Sequence, residues 1–268
     1  MRTVDVLMHN IHKDDTGTAI LRAYGLGISF GGVEALNGLS FSIAAGEIVA
    51  IIGPNGAGKT TAINVITGIY PVVRGDVRFQ GSSIAGLKPF QITALGIART
   101  FQQVQLFANM TVLENVMTGM HSRMKSGFLG GFLHYRAQRR EETGVEQRAR
   151  EILDFFGLLP KADYMASHIP IRDQKRLEIA RAMASNPRVL LLDEPAAGLN
   201  IRETEEMAEL IRRLRNNGPT IILVEHNMHL VMDIADRVIV LHQGNKIGEG
   251  PPAAIQQDQV VMAAYLGE

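Results

Sequence analysis

An α/β fold with a mainly parallel sheet is the class this chain predicts, on three observations. The short apolar runs EIVAIIG, RVLLLDEP, PTIILVEH and RVIVLHQG read as strands, the first nearly all apolar, as a strand buried on both faces should be. Stretches with helical spacing lie between them. Strands that alternate with helices in this way return to one sheet as parallel neighbours.

The elements follow in order. MRTVDVLMHNIHKDDTG carries His, Lys and Asp through its middle and has no apolar signal core, so residues 1–18 read as a loose leader. Apolar alternation in ILRAYGLGISFG and LSFSIAAGEIVAIIG predicts several strands before residue 53. A helix is expected from Gly58 in GKTTAINVITGIY, and a short strand pair, or a strand and turn, in GDVRFQGSSI. Residues 120–140, MHSRMKSGFLGGFLHYRAQRR, break the pattern with Gly, Phe and basic side chains. Beyond them Val145, Ala149, Ile152, Leu153 and Phe156 mark one helix face. Residues 19–268 therefore read as one domain, with a mostly helical lobe at about 100–185.

Composition narrows the functions. At 268 residues and 46% hydrophobic, the chain can bury a full core. Its 27 basic and 27 acidic residues cancel, so the positive footprint of a nucleic-acid binder is missing and no nucleic-acid partner is expected. The lack of cysteine excludes disulfides, thiol catalysis and Cys-ligated zinc. No apolar run is long enough for a transmembrane helix, which favours a cytoplasmic location.

The strongest chemical signal is GPNGAGKTT, which fits G-x-x-x-x-G-K-[ST] between a predicted strand and a predicted helix. Its residues Gly53, Pro54, Asn55, Gly56, Ala57, Gly58, Lys59, Thr60 and Thr61 form a candidate phosphate loop of the P-loop NTPase kind. The glycines let the backbone curl so that its amides face phosphate oxygens. Lys59 adds charge for the β- and γ-phosphates, Thr60 offers a hydroxyl to Mg²⁺, and the helix start attracts anions.

In VLLLDEP, Asp193 ends a buried strand as the Mg²⁺-holding acid of P-loop NTPases does, and Glu194 could polarise an attacking water. Taken alone, the run could equally be a strand ending in a solvated acidic turn; beside the Lys59 loop the chemical reading prevails. His226 leaves TIILVEHN at the carboxyl edge where α/β proteins bind ligands, and reads as a γ-phosphate contact. Gln102 in RTFQQ follows a helical stretch and could reach metal or water, although its spacing alone is ordinary.

Together these pieces resemble the ATP-binding subunits of ABC transporters. The order is the phosphate loop at 53–60, Gln102, a signature helix near 170–185, the acidic strand end at 189–194, a D-loop at 197–200 and a switch histidine at His226. The resemblance runs from about residue 20 to the C-terminus. RTFQQVQLFANMTVLENV, RLEIARAMASNP, LLLDEPAAGLN and AAYLGE look like the branched-chain amino-acid importer branch. It implies a P-loop core with a mainly parallel sheet, an antiparallel β portion and a helical subdomain, using ATP and Mg²⁺. Phe30 then stands at the adenine-stacking position, or serves as a core aromatic of its strand. Gln102 would join the metal site to the membrane subunits. Asn200 replaces the common D-loop Asp and can cap the next helix with Glu203.

One departure stands out. Aligned back from LEIAR, Pro170, Ile171 and Arg172 fall where this branch carries Ser/Ala, Tyr and Gly. In the family, that small turn meets the γ-phosphate of ATP held by the opposite subunit. As a helix start PIR is ordinary; as a signature it is degenerate. The resemblance thus implies a head-to-tail pair with a second ATPase, a heterodimer being favoured because a sister with a normal signature keeps one good site. It further implies two membrane permeases, an extracytoplasmic binding protein acting indirectly, and a place on the inner face of the cell membrane. Phe128, Leu129, Phe132 and Leu133 would lie near the permeases or pack locally under a long loop. Other readings are the same engine serving urea or lipopolysaccharide, a low-activity regulatory subunit, or a non-transport ATPase acting on ribosomes or DNA. Neutral charge and a single ATPase unit count against the last.

Overall fold

The computed structural model describes residues 19–120 and 135–266. The leader, and the 121–134 part of the segment around Phe128–Leu133, lie outside the described residues. Ala19–Phe30 (β1) and Val33–Ala44 (β2) pair antiparallel across Gly31 and Gly32. Ile48–Ile52 (β3) and helix Lys59–Ile66 (α1) follow, then Arg74–Phe79 (β4) and Ser82–Ser83 (β5). Strands β2-β1-β4-β5 make a 4-stranded antiparallel sheet, so GDVRFQGSSI is a strand pair.

After Pro89–Leu95 (α2), the strand Ile97–Arg99 (β6) leads to helices Val112–Met120 (α3), Tyr135–Phe155 (α4) and Ile171–Ala184 (α5). Then come Val189–Asp193 (β7), Ile201–Asn216 (α6), Thr220–Val224 (β8), Met228–Ile234 (α7), Arg237–His242 (β9) and Asn245–Gly250 (β10). Pro252–Ile255 (α8) and Gln259–Leu266 (α9) close the described chain. The main sheet has 6 strands in the order β10-β9-β3-β8-β7-β6. It is parallel except where β10 meets β9.

Strand periodicity divides the core. Val49 and Ile51 face the antiparallel sheet and α1, in a cluster with Leu21, Leu39, Ile63 and Leu191. Ile48, Ala50 and Ile52 face the opposite way, in a cluster with Leu190, Leu192, Val116, Leu153 and Leu177. Side chains of a strand alternate between faces, so a run apolar at every position must be covered on both. The helices at 100–185 are one of the covers and share their apolar cluster with the sheet.

Helix α6 shows how a helix is set in place. Thr204, Met207, Ala208, Leu210, Ile211 and Leu214 form its buried stripe. Asn200 starts it: its side chain accepts the Glu203 N–H at 3.0 Å, and the Glu203 carboxylate accepts the Asn200 N–H at 3.1 Å. This is the reciprocal cap expected from Asn200-x-x-Glu203. Asn200→Ala should cost about 1 kcal/mol and lower the melting midpoint by roughly 2–4 °C. A thermal melt with an unmoved midpoint would mean the cap adds nothing.

Candidate active site

The carboxyl ends of β3, β6, β7 and β8 meet at one edge of the main sheet, and each delivers a polar residue there. In the sheet β8 lies between β3 and β7 although it follows β7 in the chain, the kind of strand-order switch that opens a crevice at a sheet edge.

From β3 the chain turns through Gly53–Gly58 into α1. A Cβ on Gly53 would lie 2.1 Å from the Leu241 carbonyl oxygen, so that glycine is needed for packing against its own chain. Gly56 has φ +80° and nothing within 4 Å of such a Cβ. Its left-handed backbone therefore faces open space. Gly58 caps α1 without a side-chain acceptor, and the first turn has no acid, so the helix start is available to an external anion. Lys59 is buried and its ammonium donates to the Gly53 carbonyl at 2.7 Å and the Pro54 carbonyl at 3.0 Å. Burial lowers its pKa, while the nearby carboxylates of Glu194 and Asp193 oppose that shift.

Asp193 ends β7 fully buried. Its Oδ2 accepts from the Arg99 guanidinium at 2.8 Å, while its Oδ1 has no hydrogen-bond partner among the described residues. Burial pushes its carboxyl up, Arg99 pulls it back, and the Glu194 charge raises it again. A buried orphan carboxylate oxygen, an exposed Thr60 hydroxyl and a phosphate loop fit a small hard cation that takes one or two carboxylates and completes its shell with phosphate and water.

Glu194 sits at φ +50°. Gln102 donates Nε2–H to its Oε2 at 3.2 Å, and His226 Nδ1 lies 3.7 Å from its Oε1. The carboxylate thus stands between the side chain expected to reach metal or water and the one expected to contact the γ-phosphate. His226 is 61% exposed, in keeping with a ligand-facing group rather than a core one. Gln102 follows strand β6, correcting the expectation that it follows a helical stretch: α2 ends at Leu95 and β6 intervenes. Phe30 is 45% exposed and tilted against Tyr70 at 5.0 Å between centroids, so it is no core aromatic and offers a face to a planar ring.

Pro170–Arg172 stands apart from this cluster. Pro170 caps α5 through its carbonyl, which accepts the Asp173 and Gln174 N–H groups at 2.9 Å, with no side-chain cap. Arg172 pairs with Asp173 at 3.3 Å and Glu206 at 3.4 Å, and Arg176 shares Glu206 at 2.8 Å. Arg99 escaped sequence reasoning. It lies inside RTFQQ, but only the fold shows its guanidinium bridging Asp193, Asn64 at 2.5 Å and the face of Phe101.

Residues 36–197 match the family model of the ABC transporter, and residues 245–268 match that of the branched-chain amino acid ATP-binding cassette transporter. The chain is 46% identical to the high-affinity branched-chain amino acid transport ATP-binding protein LivG of Salmonella typhimurium, over 93% of this chain and 98% of that one. Its fold is similar to a crystal structure of an ATP-binding cassette in its ADP conformation, at TM-score 0.82 and 33% identity, covering 93% of this chain and 99% of that one. It is also similar to a dimeric ATP-binding cassette in a post-hydrolysis state with ADP and Pi, at TM-score 0.73 and 26% identity, over 87% of this chain and 98% of that one.

Proposed function

This chain belongs to the ABC transporter family of ATP-binding proteins, and from that premise we propose that it is the ATPase of an importer for branched-chain amino acids. The observation that carries the reading is the Glu194 carboxylate held between Gln102 and His226, within electrostatic reach of Lys59. The phosphate loop Gly53–Thr61 binds the nucleotide, and Phe30 stacks on its base. On binding, the Lys59 ammonium exchanges the Gly53 and Pro54 carbonyls for phosphate oxygens. Glu194 takes a proton from the attacking water, Gln102 orients that water, and His226 contacts the γ-phosphate. Thr60, Asp193 and Gln102 would hold Mg²⁺, which when bound neutralises charge across the β- and γ-phosphates.

A second ATPase subunit pairs head to tail with this one, and the existence of a similar cassette dimer supports that partner. We favour a sister chain with a normal signature, because two copies of Pro170-Ile171-Arg172 would leave both shared sites short of a hydroxyl and a small turn. Two permeases complete the complex, fed by an extracytoplasmic binding protein. No helix among the described residues is long and apolar enough to cross a membrane, so attachment to the cytoplasmic face runs through the permeases. Residues 19–268 serve as one ATPase domain, with the helical lobe at about 100–185 as the part that meets them. The open groove lined by Arg99, Gln105, Phe107, Thr118 and Arg181 suits that contact.

Lys59→Ala tests the nucleotide reading. Losing a charged hydrogen-bond donor should weaken Mg-ATP binding by at least about tenfold. Titration with a non-hydrolysable ATP analogue reads this directly, and wild-type affinity would remove the loop from the site. Uptake of radiolabelled leucine by vesicles carrying the assembled complex tests the cargo: ATP-dependent uptake supports it, and ATPase activity without uptake refutes it.

A further inference from the structure

Besides Asp173, helix α5 carries two buried charged side chains one turn apart, Lys175 at 6% and Glu178 at 5% exposed, which the nucleotide chemistry does not use. Their i,i+3 spacing puts them on one face. The Lys175 ammonium donates to the Glu194 backbone carbonyl at 3.1 Å. Glu178 Oε1 accepts the N–H groups of Phe101 at 3.2 Å and Gln105 at 3.4 Å. Those two amides bracket Gln102, the donor to the Glu194 carboxylate. One helix face thus holds both ends of the Gln102–Glu194 hydrogen bond.

A third buried charge, Glu225, closes the other side. Its Oε1 accepts the Ala196 N–H at 2.9 Å, and its Oε2 accepts those of His226 at 3.0 Å and Asn227 at 3.1 Å. It therefore ties the segment just after Glu194 to the segment that carries His226. Glu194 itself has φ +50°, with its N–H on the Val224 carbonyl at 2.9 Å. A non-glycine residue persists in that region only when its surroundings hold it there. Here the Val224 carbonyl holds one side and Lys175, with the Ala197 N–H at 3.2 Å, holds the other. Buried charges are costly unless partnered. These are partnered by loop amides and a carbonyl, and the opposite charges offset one another: burial depresses the Lys175 pKa while Glu178, Glu225 and Glu194 raise it.

We propose that Lys175, Glu178 and Glu225 form a positioning network that holds the Glu194 carboxylate in register between Gln102 and His226 for ATP hydrolysis. The network acts on the backbone of the three loops that carry Gln102, Glu194 and His226, and it rests on the reading of Glu194 as the base.

The test uses the complex purified with its membrane subunits, comparing Lys175→Gln, Lys175→Arg, Glu225→Gln and Glu194→Gln. Lys175→Gln and Glu225→Gln should lower kcat by up to about 100-fold, as small misplacements of reacting groups do. The KM for Mg-ATP and the affinity for a non-hydrolysable analogue should stay at wild-type values, and Lys175→Arg should recover most of the rate. Wild-type kcat in both Gln variants, a rate loss matched by weaker nucleotide binding, or an Arg variant no better than Gln would overturn the network. If Lys175→Gln does not fold, Glu178→Gln probes the Gln102 arm alone, with the same split between kcat and KM expected and unchanged kcat counting against it. Glu194→Gln separates the two readings. A dead Glu194→Gln beside fully active network variants sinks only the network, whereas an active Glu194→Gln sinks the base assignment and the network with it.

Discussion

Glu194→Gln is expected to cut ATP turnover of the assembled complex by about 10²–10⁴, the usual cost of losing a general base. Gln keeps the size of the side chain and one oxygen, so the hydrogen bond from Gln102 Nε2, 3.2 Å in the native chain, can survive. What disappears is an oxygen basic enough to take the proton of the attacking water. Nucleotide affinity should hold, because the phosphate contacts come from Gly53–Thr61 and the orphan Asp193 Oδ1 is untouched. The variant should therefore bind Mg-ATP as wild type does and stall in the bound state. Steady-state phosphate release and analogue titration, measured on the same preparation, make the distinction. Unchanged turnover would remove Glu194 from the base role, and a parallel loss of binding would make it a structural support for the site.

Much of this site could be read before the fold was known, because its strands are extreme in composition. IVAII within EIVAIIG, VLLLD and TIILV are apolar at nearly every position, and each is fully buried as β3, β7 and β8. The residue after such a strand must lie at the sheet edge, which is why Gly53, Asp193, Glu194 and His226 could be named from sequence. Gln102 was harder: β6 has only 3 residues, too few for an alternation to register, so its lead-in read as helix. The supporting charges were not legible at all. Lys175 and Glu178 look like ordinary solvent-facing residues of an amphipathic helix, and nothing local says that helix is buried on that side. Arg99 likewise gains its role only because β6 pairs parallel with β7 and sets it beside Asp193. Pairing across 94 residues of sequence leaves no periodic trace.

Restoring Ser at 170 and Gly at 172 together in the Glu194→Gln form should raise its Mg-ATP-dependent dimerisation by about ten- to a hundredfold. The native turn lacks two things a shared phosphate site needs. Pro170 has no amide hydrogen and no hydroxyl, and a charge-assisted hydrogen bond from a Ser at that place is worth about 1.5–3 kcal/mol. Arg172 adds bulk where two backbones would close, and overpacking of fitted surfaces costs about 1–3 kcal/mol. Its guanidinium could offset part of this by pairing with phosphate, since its pair with Glu206 is partly exposed and worth at most about 1 kcal/mol. Its 3.3 Å contact with the buried Asp173 is shared with Lys161. The offset needs the guanidinium to reach phosphate without holding the subunits apart, and the bulk stays in either position, so the steric cost should prevail. The double change should also leave folding nearly neutral. Ser at the start of α5 supplies the side-chain cap that Pro170 lacks, a gain of about 0.5–2 kcal/mol. Gly inside the first turn gives back about 0.5–1 kcal/mol. A change in dimer population would then report on the interface and not on stability. Size-exclusion chromatography with and without Mg-ATP decides it: equal dimer fractions in the native and restored versions would mean that Pro170–Arg172 is a helix start and nothing more.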